Sequence, residues 1–410
     1  MSAATEPVVP DASPTYRLAF MMFLQFFIWG AWAVTLGTYL GATLKYSGAQ
    51  IGWIYGTTAI AAIASPLLVG MIADRFFASQ RVFAVLHFAG AGMLVLASRT
   101  TEFSSLYTVM LVYALCYMPT LALANGISFR HLKNADVEFP RVRVLGTLGW
   151  IAAGLVVGFL GVEAASTPLL IAAGASVALG VFALALPHTP PAASGERPTI
   201  GQLLGFDAFS LLRDRSFLVL VICSVLISIP LAFYYNFTNL FLNELGMSNA
   251  AGKMTLGQGS EVLFMLLMPW LFRRMGVKWM IAAGMAAWVL RYALFAWGDV
   301  DPSRIWMLYA GIVLHGICYD FFFVAGQMYA NERAPAELVN SVQSLMTQAT
   351  YGLGMFIGSI VSGRIVSNGT GADGIKDWTG IWLSPAVMAL VILVLFVLTF
   401  RVSRPVEAAA

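Results

Sequence analysis

Apolar residues gather into long runs separated by short polar or charged stretches, at about 17–40, 48–73, 82–99, 104–129, 142–162, 167–186, 216–243, 254–273, 279–298, 304–329, 339–366 and 379–401. Each run is close to the ~20 residues that a helix needs to cross the hydrocarbon core of a bilayer. In that core every backbone N–H and C=O must be paired within the segment, so the runs are predicted to be helices; the two-residue alternation of barrel strands is absent from them. The longest polar interruption, PHTPPAASGERPTIGQLLGFDAFSLLRDR (187–215), is proline-rich and then amphipathic, and it divides the spans six and six. The pattern therefore predicts an N-terminal tail (1–16), a six-helix half (17–186), a linker (187–215), a second six-helix half (216–401) and a C-terminal tail (402–410). The later part of the linker, Ile200 to Leu212, is expected to form a helix lying on the membrane surface.

Composition agrees with this pattern. Of 410 residues, 59% are hydrophobic and only 10% charged, and the mean hydropathy is +0.80; soluble domains carry roughly 25% charged residues. The expectation is an all-α polytopic membrane protein. Arg17, Arg75, Arg81, Arg130, Lys133, Arg141, Arg143, Arg197, Arg213, Arg215, Arg273, Arg274, Lys278, Arg333, Arg401 and Arg404 fall on one side, against Lys45, Arg99, Lys253, Arg304 and Lys376 on the other; Arg291 and Arg364 remain within apolar runs. By the positive-inside rule the crowded side is cytoplasmic, which puts both termini and the linker inside the cell.

A net charge of +3, carried by scattered residues, argues against nucleic-acid binding. Cys116, Cys223 and Cys318 lie inside apolar runs without metal-ligand spacing, so neither a disulfide framework nor a metal site is expected. The first fifteen residues lack a basic stretch ahead of an apolar one, so no cleaved signal peptide is predicted. Asn368 opens a glycosylation sequon, which matters only in a secretory-pathway cell. No Walker loop, nucleophile elbow or HExxH is present, and an ATP-driven pump or an embedded hydrolase lacks its usual residues. No cofactor is expected.

The informative residues are the polar ones inside the membrane. An ionised side chain at the bilayer centre costs on the order of 3 kcal/mol, so such residues mark function by default. Glu261 sits in the first half of the eighth run and Asp320 deep in the tenth. Low dielectric favours the neutral form of both acids, which suits a group that takes up a proton on one side and releases it on the other. The competing reading is a structural pair with Arg291 or another buried cation. Gln258 and Glu261 are three residues apart and share a helix face. In VLHGICYDFFFV, His315 and Tyr319 share a face with Asp320 about 100° further round, which predicts a polar stripe turned to an interior cavity. Arg143, Thr147 and Trp150 follow one face at the start of the fifth run, where an arginine is either a snorkelling anchor or a ligand contact. Phe26, Phe27, Trp29 and Trp32 are expected mainly at lipid, and Pro66, Pro119, Pro230 and Pro269 are expected to bend helices that line a cavity.

Two resemblances add to this reading. The loop after the second run, GMIADRFFASQR, is similar to the loop signature of the major facilitator superfamily through Gly70, Asp74, Arg75 and Arg81; its counterpart FRRMGVK in the second half lacks the aspartate. In such folds the binding site lies near the midplane, between the halves. FIWGAW, ALCYMPTLAL, EFPRVRVLGTLGW, GQGSEVLFMLLMP, LRYALFAWGD and LHGICYDFF, in that order, resemble the nucleoside:proton symporter family of that superfamily. The resemblance implies uptake of a nucleoside with a proton, with Arg143, Thr147, Trp150, Gln258, Glu261, Tyr319 and Asp320 at the ligand and Asp320 or Glu261 carrying the proton. In IPLAFYYN, Ala232 and Tyr235 stand where family members carry an amide pair, and His315 stands where they carry a tyrosine. These departures leave open a proton symporter for another small polar metabolite, such as a sugar or vitamin, and a nucleoside sensor that does not transport. The expected partners are a nucleoside-like solute, a proton and the lipid bilayer of the inner membrane, for a chain acting as a monomer.

Overall fold

The computed structural model describes residues 13–68, 77–190 and 199–401. Gly70, Asp74 and Arg75 lie outside the described residues; Arg81 lies within them, exposed in the first turn of the third span. The described chain is a bundle of helices: Ser13–Ala33, carried on by Leu36–Thr38 and a π turn at Tyr39–Thr43; then Gly48–Leu68, Ser79–Ala97, Phe103–His131, Ala135–Leu160 and Thr167–Ala183. The second half opens with Arg215–Glu244. The eighth and ninth spans form one run, Ala250–Trp297, broken where Gly276 adopts φ 69° and ψ 164°, a conformation open to glycine. The tenth span covers Ile305–Val313, His315–Tyr319, a π turn at Asp320–Val324 and Ala325–Arg333. The eleventh covers Val339–Thr347, a π turn at Gln348–Gly354 and Met355–Asn368, and Trp378–Thr399 ends the bundle. Counting Ala250–Trp297 as two and including the 17-residue Thr167–Ala183 gives the twelve spans predicted.

Charged and polar caps set the helix ends. Glu102 accepts from the N–H groups of Ser104 and Ser105, Asp214 from those of Ser216 and Phe217, and Asp377 from that of Gly380, each meeting donors that the first helical turn leaves free. The linker departs from its expected single helix. It forms a short helix, Ile200–Leu204, and a 3₁₀ segment, Phe206–Arg213, because Gly205 between them takes φ 79°. The short helix packs against the second and eleventh spans, so it touches both halves.

Two apolar clusters fill the bundle. One is built mostly from the first six spans around Ile28, Trp32, Leu106 and Tyr113; the other from the last six around Phe233, Trp288, Tyr292 and Trp382. Large apolar side chains such as Phe159, Leu266 and Leu398 point outward, as a lipid solvent requires. Between the halves, the first span meets the seventh, the second meets the eleventh and the fifth meets the eighth. These meetings concentrate at the end of the bundle opposite the termini. There Gly52 lets the second span approach so closely that a Cβ would lie 2.2 Å from the Ser359 carbonyl oxygen. Small residues at such crossings allow backbone contact that larger ones prevent.

Candidate functional site

The predicted residues converge where the fifth, seventh, eighth and tenth spans face one another across the two halves. A small cavity there is lined by Trp150 and Gly154 of the fifth span, Tyr234 and Tyr235 of the seventh, and Met254, Thr255 and Gln258 of the eighth. Gly154 keeps this crossing close, since a Cβ would sit 2.7 Å from the Thr255 methyl. Trp150 is braced edge-on by Trp29 at 5.6 Å. Arg143, two turns before Trp150, lies half-buried with its guanidinium 4.1 Å from the centroid of Phe26. A snorkelling arginine would extend to water; this one covers an aromatic face. Thr147 follows one turn on, half-buried.

Trp29 and Trp32 of the first span face inward rather than to lipid. Trp32 is buried and donates from Nε1 to the Tyr113 hydroxyl at 2.9 Å, and Trp29 packs against Tyr117 and Trp150. Phe27 is half-buried against Phe23 at 6.1 Å. Hydropathy alone does not separate a lipid-facing ring from one that borders a cavity, because both surroundings are apolar. The four prolines lie within helices as expected, and Pro230 gives its carbonyl to the Tyr292 hydroxyl.

In the second half, His315 is buried and stacked on Tyr234 at 5.0 Å, edge-on to Tyr235 at 6.1 Å. Its Nε2 lies 3.9 Å from Oε2 of Glu261, whose side chain is 19% exposed. Tyr319 stands beside His315 and shares a hydroxyl hydrogen bond with Tyr351 of the eleventh span. Both tyrosines belong to π turns or border them, and such widened turns are frequent at functional sites. The polar stripe predicted in the tenth span is therefore divided: Tyr319 is half-buried, whereas Asp320 is wholly buried within the second half. Among the described residues neither Asp320 oxygen has a hydrogen-bond partner.

The competing reading, a carboxylate paired with Arg291, finds no such pair among the described residues. The ion pairs of the described residues are Arg304 with Asp299, His315 with Glu261 and Lys376 with Glu244, and Arg291 is instead bonded to His315. Arg364 is exposed near the C-terminal end of the eleventh span rather than held inside. Ala232 is buried against Gly358 of the eleventh span, so of the two substituted positions in the seventh span it is Tyr235 that reaches the cavity.

Three features escaped the sequence reading. Tyr234 carries His315 and Arg291 on its ring. Glu163, in the connection after the fifth span, binds the seventh and eighth. In the first half, His87 joins Ser176 and Gln25, and Gln25 donates to Thr120. Pairings between residues far apart in the chain have no local signal; an intramembrane histidine at position 87 was the only cue to the last.

The family model described as Nucleoside H+ symporter matches residues 13–405. YegT of Escherichia coli (strain K12) is 44% identical over 402 residues, covering 95% of this chain and 94% of that protein. The nucleoside permease NupG of the same organism is 35% identical over 399 residues, covering 94% of this chain and 95% of NupG. The crystal structure of the nucleoside transporter NupG superposes with a TM-score of 0.88 at 34% identity, covering 95% of this chain and 100% of that one.

Proposed function

The chain belongs to the nucleoside H+ symporter family, and on that premise we propose that it carries a nucleoside inward together with a proton by alternating access. It is a multi-pass inner-membrane transporter with the major facilitator fold, and not an enzyme. The observation that carries the mechanism is the location of its acids. Glu261 borders the interface between the halves, next to Gln258 in the cavity wall, and Asp320 is buried one element behind it.

In this reading Trp150 and Tyr235 cover the flat faces of the ligand, while Gln258, Glu261 and Arg143 hydrogen-bond its polar edges, with Thr147 and Tyr319 completing the wall and His315 supporting it from behind Tyr235. Asp320 or Glu261 takes the proton. Both termini face the cytoplasm, so the tight end of the bundle is the outer one and this conformation opens inward. Coupling requires that proton and solute together bind one conformation better than the other. The protein works as a monomer, since each chain carries both halves of the site.

The test is uptake of radiolabelled uridine and adenosine into proteoliposomes with and without an inward proton gradient. Gradient-driven accumulation that a protonophore abolishes is expected; no accumulation of either by folded protein would refute the reading. Tyr235 in the cavity and His315 behind it support a second reading, symport of another small polar metabolite, and competition of labelled uridine by a sugar and vitamin panel separates the two.

A further inference from the structure

The ligand-facing residues leave one buried group without a task. Arg291, in the ninth span, is fully buried. Its guanidinium carbon lies 3.5 Å from the centroid of the Tyr234 ring, and its Nη1 is 3.0 Å from Nδ1 of His315. A guanidinium offers five donors and no acceptor, and it stays charged in proteins. Nδ1 must therefore present its lone pair, and the hydrogen of the neutral ring sits on Nε2. That nitrogen faces Oε2 of Glu261 at 3.9 Å. The stack on Tyr234 fixes the plane of the ring. At the same level the Gly316 N–H donates to Ser260 Oγ at 3.0 Å, which ties the tenth span to the eighth and fixes the height of His315 against Glu261.

We propose that Arg291 is a positioning residue of the transport site. By donating to Nδ1 it selects one tautomer of His315 and so keeps an N–H donor aimed at the Glu261 carboxyl. With the other tautomer a lone pair would face the acid, repelling its carboxylate form and leaving it without this donor. The 3.9 Å separation is about 1 Å longer than a hydrogen bond, so a side-chain shift of that size makes or breaks the contact. Glu261 stays reachable from the cavity throughout, and Arg291, which never meets the ligand, governs how well the acid is aimed. The inference rests on the reading of Glu261 as a ligand-facing or proton-carrying group.

Two measurements test it. Ring ¹⁵N spectra of histidine-labelled protein, with the His315 signals identified by their loss in His315→Gln, are expected to show hydrogen on Nε2 and a bare Nδ1. The opposite tautomer, or exchange between the two, would overturn the proposal. This experiment needs no substrate, so it stands whether or not uridine is the solute. In uptake, Arg291→Met should raise the KM for uridine about tenfold, the loss of one charge-assisted hydrogen bond, and Arg291→Lys should recover part of that loss. In a His315→Gln background the amide donates without needing a tautomer chosen for it, so Arg291→Met should add less than twofold. An equal loss in both backgrounds would show that Arg291 acts independently of His315. Absence of uridine uptake by the unmutated protein would count against the transport reading and leave the tautomer result intact.

Discussion

Two carboxyl groups, Asp320 and Glu102, show how the solvent decides what a single residue does. Asp320 is wholly buried and, among the described residues, neither of its oxygens is hydrogen-bonded; an unpaired charge in such surroundings carries a large desolvation cost that a bound proton removes. Asparagine copies the shape of that neutral acid but cannot release a proton. Asp320→Asn should therefore fold normally, lose gradient-driven accumulation and retain solute exchange; full protonophore-sensitive uptake by this variant would move the proton to Glu261. Glu102 is the opposite case. At the exposed start of the fourth span it accepts from Ser104 and Ser105, and these hydrogen bonds hold its pKa down to about 2. Its folded value is depressed, so its stabilisation is present above pH 4.5 and is lost as the pH falls toward 2. Glu102→Ala should lower the melting temperature at pH 6, and the difference from the unmutated protein should close between pH 4.5 and 2. A gap that stays constant across that range would mean the cap acts through something other than its charge.

At the scale of elements, most of the bundle was legible because lipid makes one demand of every span, an apolar run of sufficient length with its hydrogen bonds paired internally. That demand does not encode local widening. The π turns Asp320–Val324 and Gln348–Gly354 carry no residue signature, yet they bring Tyr319 and Tyr351 together. Gly205 was visible in the sequence, but that it would stop the linker helix depended on the approach of the eleventh span, where a Cβ would lie 2.4 Å from the Leu345 nitrogen. The site was legible to the same extent. The spacing of Gln258 and Glu261, and of His315 and Tyr319, follows from helix geometry within one span, whereas Arg291 on His315 joins two spans and has no spacing to read. The tyrosine pair gives a prediction at this scale. Tyr351→Phe removes the hydroxyl contact between the tenth and eleventh spans, worth about 1 kcal/mol. It should leave the melting temperature nearly unchanged while raising the KM for uridine several-fold, because the wall formed by Tyr319 loses its brace. A large fall in melting temperature with unchanged KM would assign the pair to packing instead.

For the whole molecule the decisive contact lies at the edge of the candidate cavity, at Ala251, one turn before Thr255. Glu163 belongs to the first half, is 4% exposed, and accepts from Asn239 Nδ2 at 2.7 Å, Asn243 Nδ2 at 2.8 Å and the Ala251 N–H at 3.1 Å, all in the second half. Beside it, Thr38 donates to Asn239 Oδ1 at 2.5 Å. One carboxyl group thus closes the end of the seventh span and the start of the eighth against the first half. Opening this end would break these bonds, so they weigh the balance between the two conformations. Removing interactions present in one state alone shifts the equilibrium by their differential free energy, and each 1.4 kcal/mol is a factor of ten. Glu163→Ala should therefore raise the outward-open population at least tenfold, and Glu163→Gln, which keeps one acceptor oxygen, by less. The readout is labelling of a cysteine placed at Thr255, in the cavity wall, by an impermeant maleimide added from outside to cells expressing a background free of Cys116, Cys223 and Cys318. Faster labelling in the order Ala, Gln, Glu is expected. Equal rates in all three would mean that the glycine-lined crossing of the second and eleventh spans closes this end unaided, and that Glu163 only satisfies donors already held in place.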